Sequence, residues 1–258
     1  MVLTLDIGNT NIVVAGVTDG KADFIFRLSS SVSRTADEYS VLISQMASQL
    51  GFNPKAADGA IISSVVPGLT SVIRQAVETA SGIKPLVVGP GVKTGLNIRI
   101  DDPSELGADF VAAAVAAIER YPLPCVTIDM GTATAIGVID KSGSYIGGVI
   151  APGLMVSQNA LARGASQLPH VSTDAPGKII GKNTKACMQS GLVHGSASML
   201  DGLLDRIEDE LGCVVSVVAS GDWAANVIPH CRREGIALDP ELVMRGLWLI
   251  YKKNVRPN

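Results

Sequence analysis

Apolar and polar residues along the chain switch repeatedly between a two-residue and a helical period. At the start, Val2, Leu3, Leu5 and Ile7 predict a short strand, followed by a turn at Gly8-Asn9-Thr10-Asn11. A second strand is expected over 12–17 and a third over 22–28, joined by Asp19-Gly20, a pair that favours tight hairpins. Tyr39, Leu42, Ile43, Met46 and Leu50 recur at helical spacing, which predicts a helix over 36–50. A strand over 61–66, a helix over 69–80 and a strand over 86–88 follow. Pro103 is expected to open an Ala-rich helix running to about Tyr121, since proline suits a first helical turn.

The pattern then begins again. Val126, Ile128 and Met130 predict a strand, Gly131-Thr132-Ala133-Thr134 a turn, and 135–139 and 145–150 two more strands. DIGNTNIVVAGVTD, from Asp6, aligns without a gap on DMGTATAIGVIDKS, from Asp129. An Asp-x-Gly turn closing the first strand of each half points to internal duplication. A long helical region over 183–211, with a break near Gly195, a strand over 213–219 and a helix over 240–251 complete the second half. The Tyr121-Pro122-Leu123-Pro124 interruption places the boundary between domains 1–120 and 121–258, with the terminal helix free to pack back across it. The expected fold is α/β: two copies of one β-rich module, each flanked by helices.

Composition narrows the function classes. Of 258 residues, 47% are hydrophobic and 17% charged, which fits a packed globular protein rather than a disordered one. A net charge of −3 offers no electrostatic footing for nucleic acid. Cys125, Cys187, Cys213 and Cys231 are scattered without CxxC spacing, so neither a disulfide framework nor a zinc site is expected. His170, His194 and His230 lack ligand spacing. No signal-peptide pattern and no apolar run of about 20 residues occur, so a cytoplasmic protein without a membrane span is expected.

The candidate chemistry sits at the turns. A glycine at a strand end lets backbone approach a phosphate, while amides, Asn and Thr surround it. Asp6, Gly8, Asn9, Thr10 and Asn11 meet that description, and Asp6 could hold a hydrated Mg2+ between nucleotide phosphates; an ordinary hairpin turn rich in Gly, Asn and Thr is the alternative, and recurrence of the turn at Asp129 favours the phosphate reading. Asp109 follows Gly107 and Ala108 in the Ala-rich segment, where small apolar neighbours would suit a proton acceptor; an ordinary surface or helix-start Asp is the alternative from spacing alone. Gly147–Gly153 and Gly181–Thr184 could line a small-molecule site, or be a plain strand-to-helix turn and a plain helix cap. GKIIGKNT at 177–184 has the wrong spacing for a P-loop, and the glycines at 89–95 precede no helix able to receive a pyrophosphate.

DIGNTN at 6–11, GPGVKTGLNI at 89–98, DDPSELGAD at 101–109, DMGTATAI at 129–136, IGGVIAPGL at 146–154, Leu168-Pro169 and GKNTKACMQSGLVHG at 181–195 together resemble the type III pantothenate kinases. The resemblance spans almost the whole chain and implies an α/β fold of two ribonuclease-H-like, actin-like domains, each a mixed sheet flanked by helices. It implies ATP-dependent phosphorylation of pantothenate in coenzyme A biosynthesis, with ATP, Mg2+ and a monovalent cation, potassium or ammonium, in a homodimer. It further implies that Asp6 through Asn11 and Thr132 contact ATP, that Asp109 accepts the substrate's proton, and that Asp129 holds the monovalent cation. Gly107, Ala108, Phe110 and Thr184 fall at substrate positions. Three positions depart from the family pattern: Phe110 stands for an Arg, Ile100 for a Tyr, and Ser220-Gly221-Asp222 for a TGG-type turn. An Arg offers five donors and a fixed charge that Phe lacks. A kinase of another hydroxylated acceptor, or a non-catalytic paralogue akin to the Bvg accessory factors, is the alternative those departures raise.

Overall fold

The computed structural model describes residues 1–255. The chain divides into two compact units, one made of Met1–Glu119 with the segment from Glu241 onward, the other of Arg120–Pro240.

In the first unit, β1 (Val2–Ile7), β2 (Asn11–Thr18), β3 (Lys21–Ser29), β4 (Gly59–Ser64) and β5 (Leu86–Val87) form a sheet in the order β3-β2-β1-β4-β5. The three-strand meander is antiparallel, whereas β4 and β5 join β1 in parallel. Asp19 and Gly20 both take positive φ, 49° and 75°, the conformation an Asp-Gly hairpin turn requires. Alternation along the strands gives the sheet two buried faces. Leu3, Leu5 and Ile7 pack against α1 (Ala36–Gln49) and α2 (Pro67–Ser81) through Tyr39, Ile43, Leu69 and Ile73. On the other face, Val2, Val17 and Ile61 pack against α3 (Ala108–Arg120) and the terminal helix, through Val111, Val115, Met244, Leu247 and Ile250. A two-residue strand, β6 (Asn97–Ile98), precedes α3.

The terminal helix, Leu242–Asn254, belongs to this first unit rather than to the second half of the sequence. Its reason is local. Gly246 lies so close to the Ala112 carbonyl that a Cβ would overlap it. Arg245 Nε donates to Gly20 O at 3.0 Å, and Tyr251 donates to Asp58 O at 3.2 Å. At its end, Lys253 Nζ donates to Thr94 O at 3.0 Å, while Asn254 exchanges bonds of 3.0 and 2.9 Å with the backbone of Lys93.

The second unit repeats the first. Strands β7 (Cys125–Met130), β8 (Ala133–Ile139), β9 (Ser144–Pro152), β10 (Ser216–Ser220) and β11 (Ala237–Leu238) run in the order β11-β10-β7-β8-β9. Their buried face packs against α4 (Leu154–Gly164), α5 (Thr184–Leu211) and α6 (Ala224–Val227). Register shows how close the repeat is. Asp6 pairs with Ser63 on the parallel neighbour, and Asp129 pairs with Ser220. The meander slips once in each unit, between Gly16 and Val17 and between Val138 and Ile139. Those two slips coincide only if the second turn is one residue shorter. Residues 8–11 separate the Ile7–Ile12 pair, but only residues 131–133 separate Met130 from Thr134. The ungapped alignment is therefore displaced by one residue beyond the turn.

Two helix expectations also change. Helix α5 runs unbroken through Gly195, because burial of Met188, Leu192, Ala197, Leu200 and Leu204 along one face carries it past its glycines. Pro103 opens only a 3-10 turn, Pro103–Glu105, capped by the Asp102 carboxylate, and α3 begins at Ala108.

Candidate functional site

Each turn is built by its own unit. In the first, Gly8 N–H donates to Asn11 O at 3.0 Å and closes the turn. A Cβ on Gly8 would lie 3.1 Å from that same oxygen, tighter than an ordinary contact. Ser30 at the end of β3 braces the loop, its hydroxyl donating to Gly8 O at 2.6 Å and its amide to Thr10 O at 2.9 Å. Gly8 thus uses its amide within the turn, and Asn9 and Thr10 at the tip are exposed. Asp6, half-buried, is the last residue but one of β1 and faces the side of the sheet that carries α3.

Asp109 lies on that same side. It occupies the first turn of α3, not the interior of a longer helix. Its Oδ1 accepts from the Phe110 amide at 2.9 Å. A Cβ on Gly107 would overlap that Oδ1, so the glycine leaves the space in which the carboxylate sits. Burial raises the Asp109 pKa above the usual carboxylate value, and the amide bonds of Phe110 and of Asp109 itself oppose the rise without cancelling it. A helix start favours a negative charge, yet enclosure prevails, and the result is a more basic carboxylate.

In the second unit, Gly131 N–H donates to Ala133 O at 3.0 Å, closing the shorter turn. Two further glycines press on it. A Cβ on Gly153 would overlap the Gly131 and Thr132 carbonyls, and one on Gly221 would meet Asp129 Oδ1 and the Met130 backbone. Gly221 also has φ of 93°, a region closed to most side chains. Asp129 is half-buried and Thr132 exposed beside it. Thr184, at the first position of α5, is exposed, and the cap there is Asn183, whose side chain accepts from Ala186 N at 2.9 Å.

One residue escaped the sequence reading. Ser63 pairs in register with Asp6, is fully buried, and its hydroxyl finds no hydrogen-bond partner. The signal for it was a pair of serines, Ser63-Ser64, ending an otherwise apolar strand.

Among the described residues no cluster of three His, Cys, Asp or Glu could form a metal cage, and no helix is long and apolar enough to cross a membrane. A site for Mg2+ needs no such cage, because that ion keeps several waters and takes one or two carboxylates plus substrate phosphates. Asp6 beside a buried, unsatisfied hydroxyl fits that mode of binding.

A duplicated mixed-sheet module, with an Asp-Gly turn ending the central strand of each copy and an enclosed carboxylate on one sheet face, defines a phosphotransferase-type protein of the two-module α/β class. The sequence profile of type III pantothenate kinase matches residues 2–206. A relative from Moorella thermoacetica named type III pantothenate kinase is 39% identical over 254 residues, covering 98% of this chain and all of that protein. The chain belongs to the type III pantothenate kinase family. Solved structures share its fold at lower identity. One from Campylobacter jejuni, described as a Baf family transcriptional activator, matches with a TM-score of 0.62 at 20% identity over 98% of both chains. The activator of 2-hydroxyisocaproyl-CoA dehydratase from Clostridium difficile, with bound ADPNP, matches with a TM-score of 0.57 at 14% identity, covering all of this chain and 98% of that one.

Proposed function

We propose that the chain transfers the γ-phosphoryl group of ATP to pantothenate, giving 4'-phosphopantothenate for coenzyme A synthesis. The observation that carries this reading is Asp109, a carboxylate made more basic by burial, on the sheet face shared with Asp6, in a chain of the pantothenate kinase family. Asp109 accepts the proton of the substrate's primary hydroxyl as that oxygen forms its bond to the γ-phosphorus and the bond to the β-phosphate oxygen breaks. Phosphoryl transfer of this kind is mostly positioning and electrostatics.

Asp6 would hold the Mg2+ of the nucleotide, and that ion would supply neutralisation of the phosphate charge. Asn9, Thr10, Asn11 and Thr132 bond the phosphate oxygens from the turn tips. Asp129, closely approached by the Gly221 backbone, would hold a potassium or ammonium ion. Thr184 with Gly107, Ala108 and Phe110 contacts pantothenate. The active species is a homodimer in the cytoplasm, and light scattering reads the oligomeric state. A nucleotide analogue bound by a protein of the same fold supports ATP as the donor.

Phe110 favours a second reading, in which the fold binds nucleotide without phosphorylating pantothenate, because the residue has no charge to offer an anionic substrate. ADP release, measured with Mg2+ and potassium present, separates the two. The kinase reading expects release that depends on pantothenate and is lost in Asp109→Asn. Bound ATP without release, restored by Phe110→Arg, belongs to the second reading.

A further inference from the structure

We propose that Ser63 is a second protein contact to the Mg2+–triphosphate assembly at Asp6, its hydroxyl bonding an oxygen of that assembly, either a phosphate oxygen or a metal-bound water. This deepens the kinase reading and rests on it. Three observations lead there. Ser63 is fully buried, and its Oγ has no hydrogen-bond partner in the protein. Buried hydroxyls are satisfied in the great majority of cases, so an exception of this kind points to a missing group. Ser63 also stands beside Asp6 on the adjacent parallel strand, about 4.8 Å away at strand spacing, with both side chains on one face of the sheet.

The duplicated unit supplies the contrast. Ser220 holds the equivalent place beside Asp129, but its hydroxyl donates to the Ile128 carbonyl at 3.4 Å. One serine of the pair is bonded to the backbone of the neighbouring strand, and the other has no partner. The unoccupied one belongs to the copy with the longer turn, whose tip carries Asn9 and Thr10. Ser64, next along β4, is engaged with the following loop: its hydroxyl accepts from Thr70 Oγ1 at 2.8 Å and from Val66 N at 3.2 Å. At the polar end of β4, Ser64 thus shapes the loop while Ser63 is left unpartnered beside Asp6.

An unsatisfied buried hydroxyl costs the free protein stability and returns a bond only when the ligand arrives. Ser63→Ala should therefore leave the melting temperature of the ligand-free protein unchanged or higher. The same variant should weaken Mg·ATP binding roughly tenfold, the scale of one hydrogen bond to a charged group. Calorimetric titration with Mg·ATP, thermal melts with and without it, and Mn2+ binding followed by electron paramagnetic resonance give three readouts that do not depend on turnover. A lower melting temperature for free Ser63→Ala, with Mg·ATP affinity equal to wild type, would show that the serine serves only a structural water and would overturn the proposal. If Asp6→Asn loses Mg·ATP affinity while Ser63→Ala does not, only the role of Ser63 fails. If wild type itself binds no Mg·ATP, the kinase reading fails with it.

Discussion

Asp109 is where the local and the chemical accounts meet. Spacing alone put this carboxylate in the middle of an Ala-rich helix, where an ordinary surface residue is the commoner case. Pro103 and Gly107 divide that segment, so Asp109 instead starts α3. Its raised pKa has a consequence for stability that can be signed. In the unfolded chain the group loses its proton at the usual carboxylate pH, whereas in the folded protein it holds the proton to a higher pH. Stability is therefore greatest below the unfolded pKa and falls as pH rises through the folded one. Asp109→Asn removes this penalty. Its melting temperature should equal that of wild type at acid pH and exceed it at neutral pH, while turnover is lost. For wild type, the acid limb of kcat/KM should lie above the ordinary carboxylate range. A variant less stable than wild type at neutral pH would contradict the assignment of an enclosed, costly carboxylate.

At the scale of elements, the alternating and helical periods were legible from residue pattern: the three-strand meander, its repeat and the flanking helices all follow from it. Turn length was not. A one-residue difference between the Gly8 and Gly131 loops leaves no mark in hydrophobic pattern, since both turns are Gly- and Thr-rich, and it emerges only from strand register. Close approach of backbone was equally hidden. Gly153 and Gly221 both lie tight against the second turn, and only that close approach distinguishes them from glycines facing open space such as Gly191. Gly221→Ala should displace Asp129 and cost about 1–3 kcal/mol, combining positive-φ strain with overlap. Gly191→Ala, in the exposed interior of α5, should be neutral or stabilise by up to about 1 kcal/mol. Chemical denaturation of the two variants checks the contrast, and equal stabilities would count against the packing described for Asp129.

For the whole molecule, duplication with each Asp-x-Gly turn at a strand end was visible in sequence. Membership of the terminal helix was not visible, because an amphipathic helix does not say which sheet it covers. Backbone contact of Gly246 with Ala112 decides it. Gly246→Ala should push this helix from α3 and cost about 1–3 kcal/mol in denaturant unfolding. Because the same helix holds Lys93 and Thr94 through Asn254 and Lys253, the loop over 89–96 should lose hydrogen-exchange protection in that variant.

This chain phosphorylates pantothenate. Transfer of labelled γ-phosphate from ATP, with Mg2+ and potassium present, tests it most directly. Label should appear in 4'-phosphopantothenate with wild-type protein and be absent with Asp109→Asn. Label that stays in ATP, or reaches inorganic phosphate alone, while ATP is bound would contradict it.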